Sequence, residues 1–125
     1  MDKRPKILLA DDEPDLLDMY RQILEQLPSR PEIHTAASGA RVIAMLEAEP
    51  FELLICDLKM PKRDGMAFYR SLVETVPALA KRVIFVTGDV AGTNAEQFLN
   101  DSGCRWLAKP FRLGDLLRAV REGLA

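Results

Sequence analysis

A chain of 125 residues, 48% hydrophobic and 29% charged, suits one soluble globular domain, expected to span residues 1–125. The formal charge of −2 supplies no basic field, so no DNA binding by this chain is expected. No apolar run nears the roughly 20 residues that cross a bilayer, and the start lacks a signal peptide's apolar core; no membrane association and a cytoplasmic location are expected. Cys56 and Cys104 are too few for a disulfide framework and form no CxxC pair. Both fall in or beside predicted strands, where free cysteine acts as a small buried hydrophobe. His34 has no second His or Cys near it in sequence, which leaves a metal or phosphohistidine role unsupported.

Along the chain, short apolar runs alternate with segments of helical period, the signature of βα units and a mostly parallel sheet. After the strand Ile7-Leu8-Leu9-Ala10, a helix over about 14–27 starts at Pro14 and turns Leu16, Tyr20, Ile23, Leu24 and Leu27 inward. Pro28 and Pro31 stop it. A weak strand runs from Ile33 to Ala36, and Ser38 then caps a helix carrying Val42, Ile43 and Leu46. Pro50 ends that helix before a strongly apolar strand at 51–56. The third helix begins after Asp64-Gly65, with Met66, Tyr69, Leu72, Val73 and Val76 facing inward, and stops near Pro77. The strand Val83-Ile84-Phe85-Val86 precedes a fourth helix over about 93–102. Its only apolar anchors are Ala95, Phe98 and Leu99, so it should be the least tightly held. The strand Trp106-Leu107-Ala108 leads to a last helix over about 112–123 with Leu113, Leu116, Leu117 and Val120. The expectation is five strands and five helices in strict alternation.

Each of four apolar runs leads straight into a polar residue suited to phosphate chemistry. The first ends in Asp11-Asp12, the third in Asp57, the fourth in Thr87 and the fifth in Lys109-Pro110. If the runs are parallel strands, these groups share the sheet edge where open α/β sheets place ligands. At about 5 Å and an effective dielectric near 20, each like-charge carboxylate pair costs on the order of 3 kcal/mol. A proton or a hard divalent cation must therefore offset the charge. Mg²⁺ takes oxygen ligands and keeps waters that phosphate can replace. A carboxylate beside it can attack phosphorus to give an acyl phosphate. Lys109 would neutralise phosphoryl oxygens and Thr87 would donate a hydrogen bond to one.

The motifs Ile7-Leu8-Leu9-Ala10-Asp11-Asp12-Glu13, Asp57-Leu58-Lys59-Met60-Pro61 with Asp64-Gly65, Val86-Thr87-Gly88 and Lys109-Pro110-Phe111 occur in that order. With these the chain resembles the receiver domain of two-component response regulators, the chemotaxis-regulator-like family, from Lys6 to about Leu124. The resemblance implies a flavodoxin-like (βα)5 three-layer sandwich with a five-stranded parallel sheet of order 2-1-3-4-5. It implies phosphorylation of Asp57 by a histidine kinase or histidine phosphotransfer protein. Asp11, Asp12, Asp57 and the backbone carbonyl of Lys59 would hold Mg²⁺, with Thr87 and Lys109 on the phosphoryl group. The Lys109-Pro110 peptide would be a candidate for the cis form. Beyond its own phosphorylation and dephosphorylation, no enzymatic activity is implied.

Two features depart from or refine the family pattern. Trp106 stands where the family usually has a switching Tyr or Phe, and the larger indole would swing partly or remain a fixed packing residue. Lys59 and Asp89 sit where side chains flank the hydrolysing water, and an ion pair between them would tune phosphate lifetime. Signal output is expected on the face of the fourth helix, fifth strand and fifth helix, beside Thr87 and Trp106. With the chain ending after its fifth helix, a stand-alone regulator, a phosphorelay intermediate or the receiver of a hybrid histidine kinase is expected, as monomer or weak homodimer. A haloacid-dehalogenase-type phosphatase would need an Asp-x-Asp motif after Ala10 or Cys56, a flavodoxin a Ser/Thr/Gly-rich phosphate loop after the first strand, and a nucleotide enzyme a P-loop or GxGxxG pattern. The chain carries none of these. The alternative function is a non-phosphorylated pseudo-receiver that binds partners by shape.

Overall fold

The computed structural model of the protein describes residues 4–11, 13–57, 65–87, 94–109 and 111–124, with the backbone alone at 65–68, 87, 94–96 and 98. The elements are β1 (Lys6–Ala10), α1 (Pro14–Leu24), β2 (Glu32–Ala36), α2 (Gly39–Ala48), β3 (Leu53–Asp57) and α3 (Gly65–Thr75). α4 (Pro77–Ala80), β4 (Val83–Thr87), α5 (Asn94–Ser102), β5 (Arg105–Ala108) and α6 (Leu113–Leu124) complete the chain. All strand pairs are parallel, and the sheet order is β2-β1-β3-β4-β5. The sheet order expected from the sequence is the one found.

The strands read as unbroken apolar runs because helices cover both faces of the sheet. Alternate residues feed two separate cores. Leu8, Ala10, Leu54, Cys56 and Phe85 pack with Val42, Leu72, Leu79 and Leu99 of α2 to α5. Ile7, Leu9, Leu53, Ile55, Ile84 and Val86 pack with Leu17, Tyr20 and Leu24 of α1 and Leu116 and Val120 of α6. A one-residue slip of any strand would exchange these two sets. Three layers result. Ser38 caps α2 as expected, its hydroxyl accepting from the Arg41 N–H at 3.2 Å.

Several helical details differ from the sequence expectation. α1 ends at Leu24, and Leu17 is buried on it where Leu16 is only half-buried; Leu27 is buried beyond the helix end. Adjacent leucines satisfy the same period, so helix phase alone separates them. Val73 is 44% exposed and Leu113 50% exposed, although both were expected to face inward. Leu113 opens α6, and Leu116, three residues on, is the first residue of that helix to be buried. A sixth, four-residue helix also interrupts strict alternation. Pro77 stops α3 and, with its fixed φ at a first helical position, starts α4. The expected fourth and fifth helices are thus α5 and α6. Leu99 is the buried anchor of α5, and the side chains of Met66, Ala95 and Phe98 lie outside the described residues.

Candidate functional site

The strand order reverses between β1 and β3, and a crevice at the carboxyl ends of those strands is the usual ligand position. Ala10 pairs with Cys56 in register, so the next residue of each strand run, Asp11 and Asp57, lies level with the other. By strand alternation both belong to the face covered by α1 and α6. Asp11 is 3% exposed and Asp57 8%, the buried polar residues among those described. Buried carboxylates are tolerated only when paired or hydrogen-bonded.

Their partner arrives from β5. Lys109, one residue past the Thr87–Ala108 pair, donates to Asp57 Oδ2 at 3.2 Å and lies 3.7 Å from Asp11 Oδ2. One ammonium thus serves two carboxylates. Asp11 Oδ1 accepts the Glu13 N–H at 3.0 Å, fixing the turn into α1 through an aspartate-centred turn. Burial alone would pull the Lys109 ammonium down. The Asp57 charge, the hydrogen bond to Asp57 and the Asp11 charge outweigh it, and the group ends above the ordinary lysine value.

A core tyrosine borders this corner of the site. Tyr20 of α1 is 5% exposed and lines a small internal cavity together with Asp11 and Asp57. Burial pushes its hydroxyl pKa up against the opposing pull of Lys109, and the Asp11, Asp57 and Glu13 charges push it further. The helical period marked Tyr20 only as a core residue. Its position on the inward face of the helix that leaves the acidic strand end was the available signal.

The other expected site residues divide into two groups. Thr87 closes β4 beside Ala108, with its backbone described. Trp106 pairs with Phe85 in register and packs, half-buried, against the core on the α2–α5 side of the sheet. Asp12, Lys59, Asp89 and Pro110 lie outside the described residues, and with them the Lys59–Asp89 ion pair and the Lys109-Pro110 peptide. Among the described residues, no three His, Cys, Asp or Glu side chains gather as a metal site, and no helix is long and apolar enough to cross a membrane. The Asp11 and Asp57 carboxylates, converging on one cation, are hard oxygen donors of the kind Mg²⁺ takes, so they fit the implied ion.

A doubly wound parallel sheet with paired carboxylates and a lysine at its switch point defines a small α/β module for binding phosphate or a cation. The chain belongs to the response regulator receiver domain family, whose family model matches residues 7–121. Its function is phosphorelay signalling in two-component systems. The response regulator receiver protein CpdR of Brucella abortus (strain 2308) is 31% identical over 121 residues, covering 95% of this chain and 96% of that protein. The C4-dicarboxylate transport transcriptional regulatory protein DctD of Rhizobium meliloti (strain 1021) is 31% identical over 122 residues, covering 98% of this chain. The chain thus spans nearly all of CpdR but only 26% of DctD. The crystal structure of a CheY-like receiver domain protein from Methanospirillum hungatei JF-1 superposes with a TM-score of 0.86 at 30% identity. That match covers 98% of this chain and 94% of the other.

Proposed function

We propose that Asp57 is the phosphoryl acceptor of this receiver, phosphorylated by a histidine kinase or histidine phosphotransfer protein. The observation that carries the assignment is the reach of Lys109 to Asp57 Oδ2 at 3.2 Å, with Asp11 beside it. In the transfer an Asp57 oxygen forms the new O–P bond as the donor's N–P bond breaks, and the imidazole leaves with the electron pair and takes up a proton. Charge compensation is the main task of such a site. Lys109 would turn from the carboxylate to a phosphoryl oxygen as a point charge, and Thr87 would donate to another. Asp11, Asp12, Asp57 and the Lys59 backbone carbonyl would hold Mg²⁺, which when bound offsets the negative charge gathered on the carboxylates and phosphoryl oxygens.

Phosphorylation would be read on the α5-β5-α6 face, through Thr87 and Trp106, by a downstream partner. Lys59 and Asp89 would set the phosphate lifetime across the mouth of the site. In this reading residues 1–125 act as a single receiver domain, monomeric or weakly dimeric, that catalyses only its own phosphorylation and dephosphorylation. Intact mass of the protein after incubation with Mg²⁺ and acetyl phosphate tests the assignment. The expected result is the gain of one phosphoryl group, absent in Asp57→Asn. An unmodified wild-type protein would favour the alternative, a partner-binding pseudo-receiver.

A further inference from the structure

We infer that Tyr20 is a positioning residue for Lys109, acting through a ring stack with Phe111. The inference rests on the reading of Asp57 and Lys109 as phosphoryl-transfer residues. The Tyr20 and Phe111 rings lie with centroids 5.9 Å apart and planes inclined by 30°. This is within the range of favourable offset aromatic pairs. Phe111 is two residues beyond Lys109, so a ring fixed to α1 restrains the segment that carries the lysine.

The restraint has a reason. Lys109 bonds to Asp57 and reaches both carboxylates on a long stem with several rotatable bonds. Its side chain is 26% exposed, so packing alone leaves it partly free. Tyr20 has little freedom, being 5% exposed and seated in the core under α1. It occupies the wall between two spaces. On the inner side it faces the cavity bounded by Asp11 and Asp57, and on the outer side the open cavity bounded by Lys109 and Phe111. The same side chain therefore touches the environment of the acceptor and that of its cation. Since the stack uses the ring and not the hydroxyl, a phenylalanine at position 20 keeps it and a leucine removes it.

The test is the rate of Asp57 phosphorylation by acetyl phosphate in saturating Mg²⁺, with folding of every variant checked by denaturant melts. Tyr20→Phe retains the rate to within about twofold, whereas Tyr20→Leu and Phe111→Leu slow it by roughly tenfold, the scale expected when a reacting-site group is misplaced. In the Lys109→Ala background Tyr20→Leu slows it no further, because its route to the reaction is gone. A Tyr20→Leu protein that reacts like wild type overturns the inference, as does an undiminished effect in the Lys109→Ala background. Should Tyr20→Leu not fold, Phe111→Leu, changed at a half-buried position, decides alone by the same two comparisons. If wild type takes no phosphoryl group, the reading of Asp57 as phosphoryl acceptor falls, and the side-chain nitrogen resonance of Lys109 still decides the stack. It must move in Tyr20→Leu and stay in Tyr20→Phe, and an unmoved resonance in both rejects the inference.

Discussion

Lys109 and Asp57 are 52 residues apart in the chain, yet the lysine Nζ donates to the aspartate Oδ2 over 3.2 Å. β4 lies between their strands, so about 9–10 Å of sheet separates the two backbones. Only a long side chain bridges that gap, and only a charged one reconciles two buried carboxylates. This bridge ties β5 to the β1–β3 centre of the sheet across the end of β4.

Lys109→Met keeps the stem and removes the charge. It should lower stability by about 1–3 kcal/mol at neutral pH, below the cost of a fully buried pair because the ammonium is partly solvated. The pH dependence has a fixed sign. The lysine's folded pKa is raised, so its contribution is complete below the ordinary lysine value and is lost as pH rises through the folded value. Urea unfolding of wild type should weaken in that alkaline window, and the Lys109→Met curve should lack this component. Equal alkaline slopes for the two proteins would show that the bridge contributes nothing.

At the opposite end of the sheet, His34 Nε2 lies 2.7 Å from Glu32 Oε2, with Lys6 and Glu49 completing the network. The hydrogen bond to His34 is the main cause of a lowered Glu32 pKa; desolvation opposes it, and the Lys6, His34 and Arg4 charges each add a lesser downward pull. A depressed carboxyl contributes stability above its unfolded pKa and loses it as pH falls through the folded one. Carboxyl NMR titration should show Glu32 returning toward the ordinary glutamate value in His34→Ala. An unchanged titration would assign the depression to the Lys6 and Arg4 charges alone.

What was legible in the sequence follows from how each feature is encoded. The strands were plain because both faces of a parallel sheet are buried, so runs such as Leu53–Cys56 are apolar throughout. The acidic pair Asp11 and Asp57 was legible because strand ends fix residues to one sheet edge. Helix faces were less so: Leu16 and Leu17, or Val73 and its neighbours, fit one period equally well, and phase is set by tertiary packing. The Tyr20–Phe111 stack joins α1 to the segment after β5, and no local pattern encodes a contact between elements so far apart in the chain. The Pro77 helix is hard to see in the sequence because a proline that stops one helix can equally start the next.

Gly123 records how closely α6 approaches the sheet. A Cβ added there would stand 2.8 Å from Leu53 Cδ1, and Leu53 is wholly buried in β3. For Gly123→Ala, the helix-propensity gain of about 1 kcal/mol opposes the shift demanded of the leucine methyl. Gly123→Leu has no such balance and should destabilise by about 1–3 kcal/mol through overpacking. Denaturant unfolding measures it, and a leucine variant as stable as wild type would mean that α6 can slide outward freely.

The two thiols should differ sharply in reactivity. Cys56 is fully buried in β3, and burial pushes its thiol far above the usual range, with the Asp57 and Asp11 charges adding to the effect. It is thus denied both access and the thiolate form that reacts. Cys104 is half-buried; its sulfur lies 3.4 Å from the Tyr69 hydroxyl and 3.5 Å from the Ala80 carbonyl, and its one S–H can donate to either. Iodoacetamide at neutral pH should therefore label Cys104 in the native protein and reach Cys56 only through opening of the core. Its rate at Cys56 should then fall with added stability, since the reactive form is the open one. Peptide mapping of a partial reaction separates the sites, and equal native labelling of both would contradict the buried placement of β3.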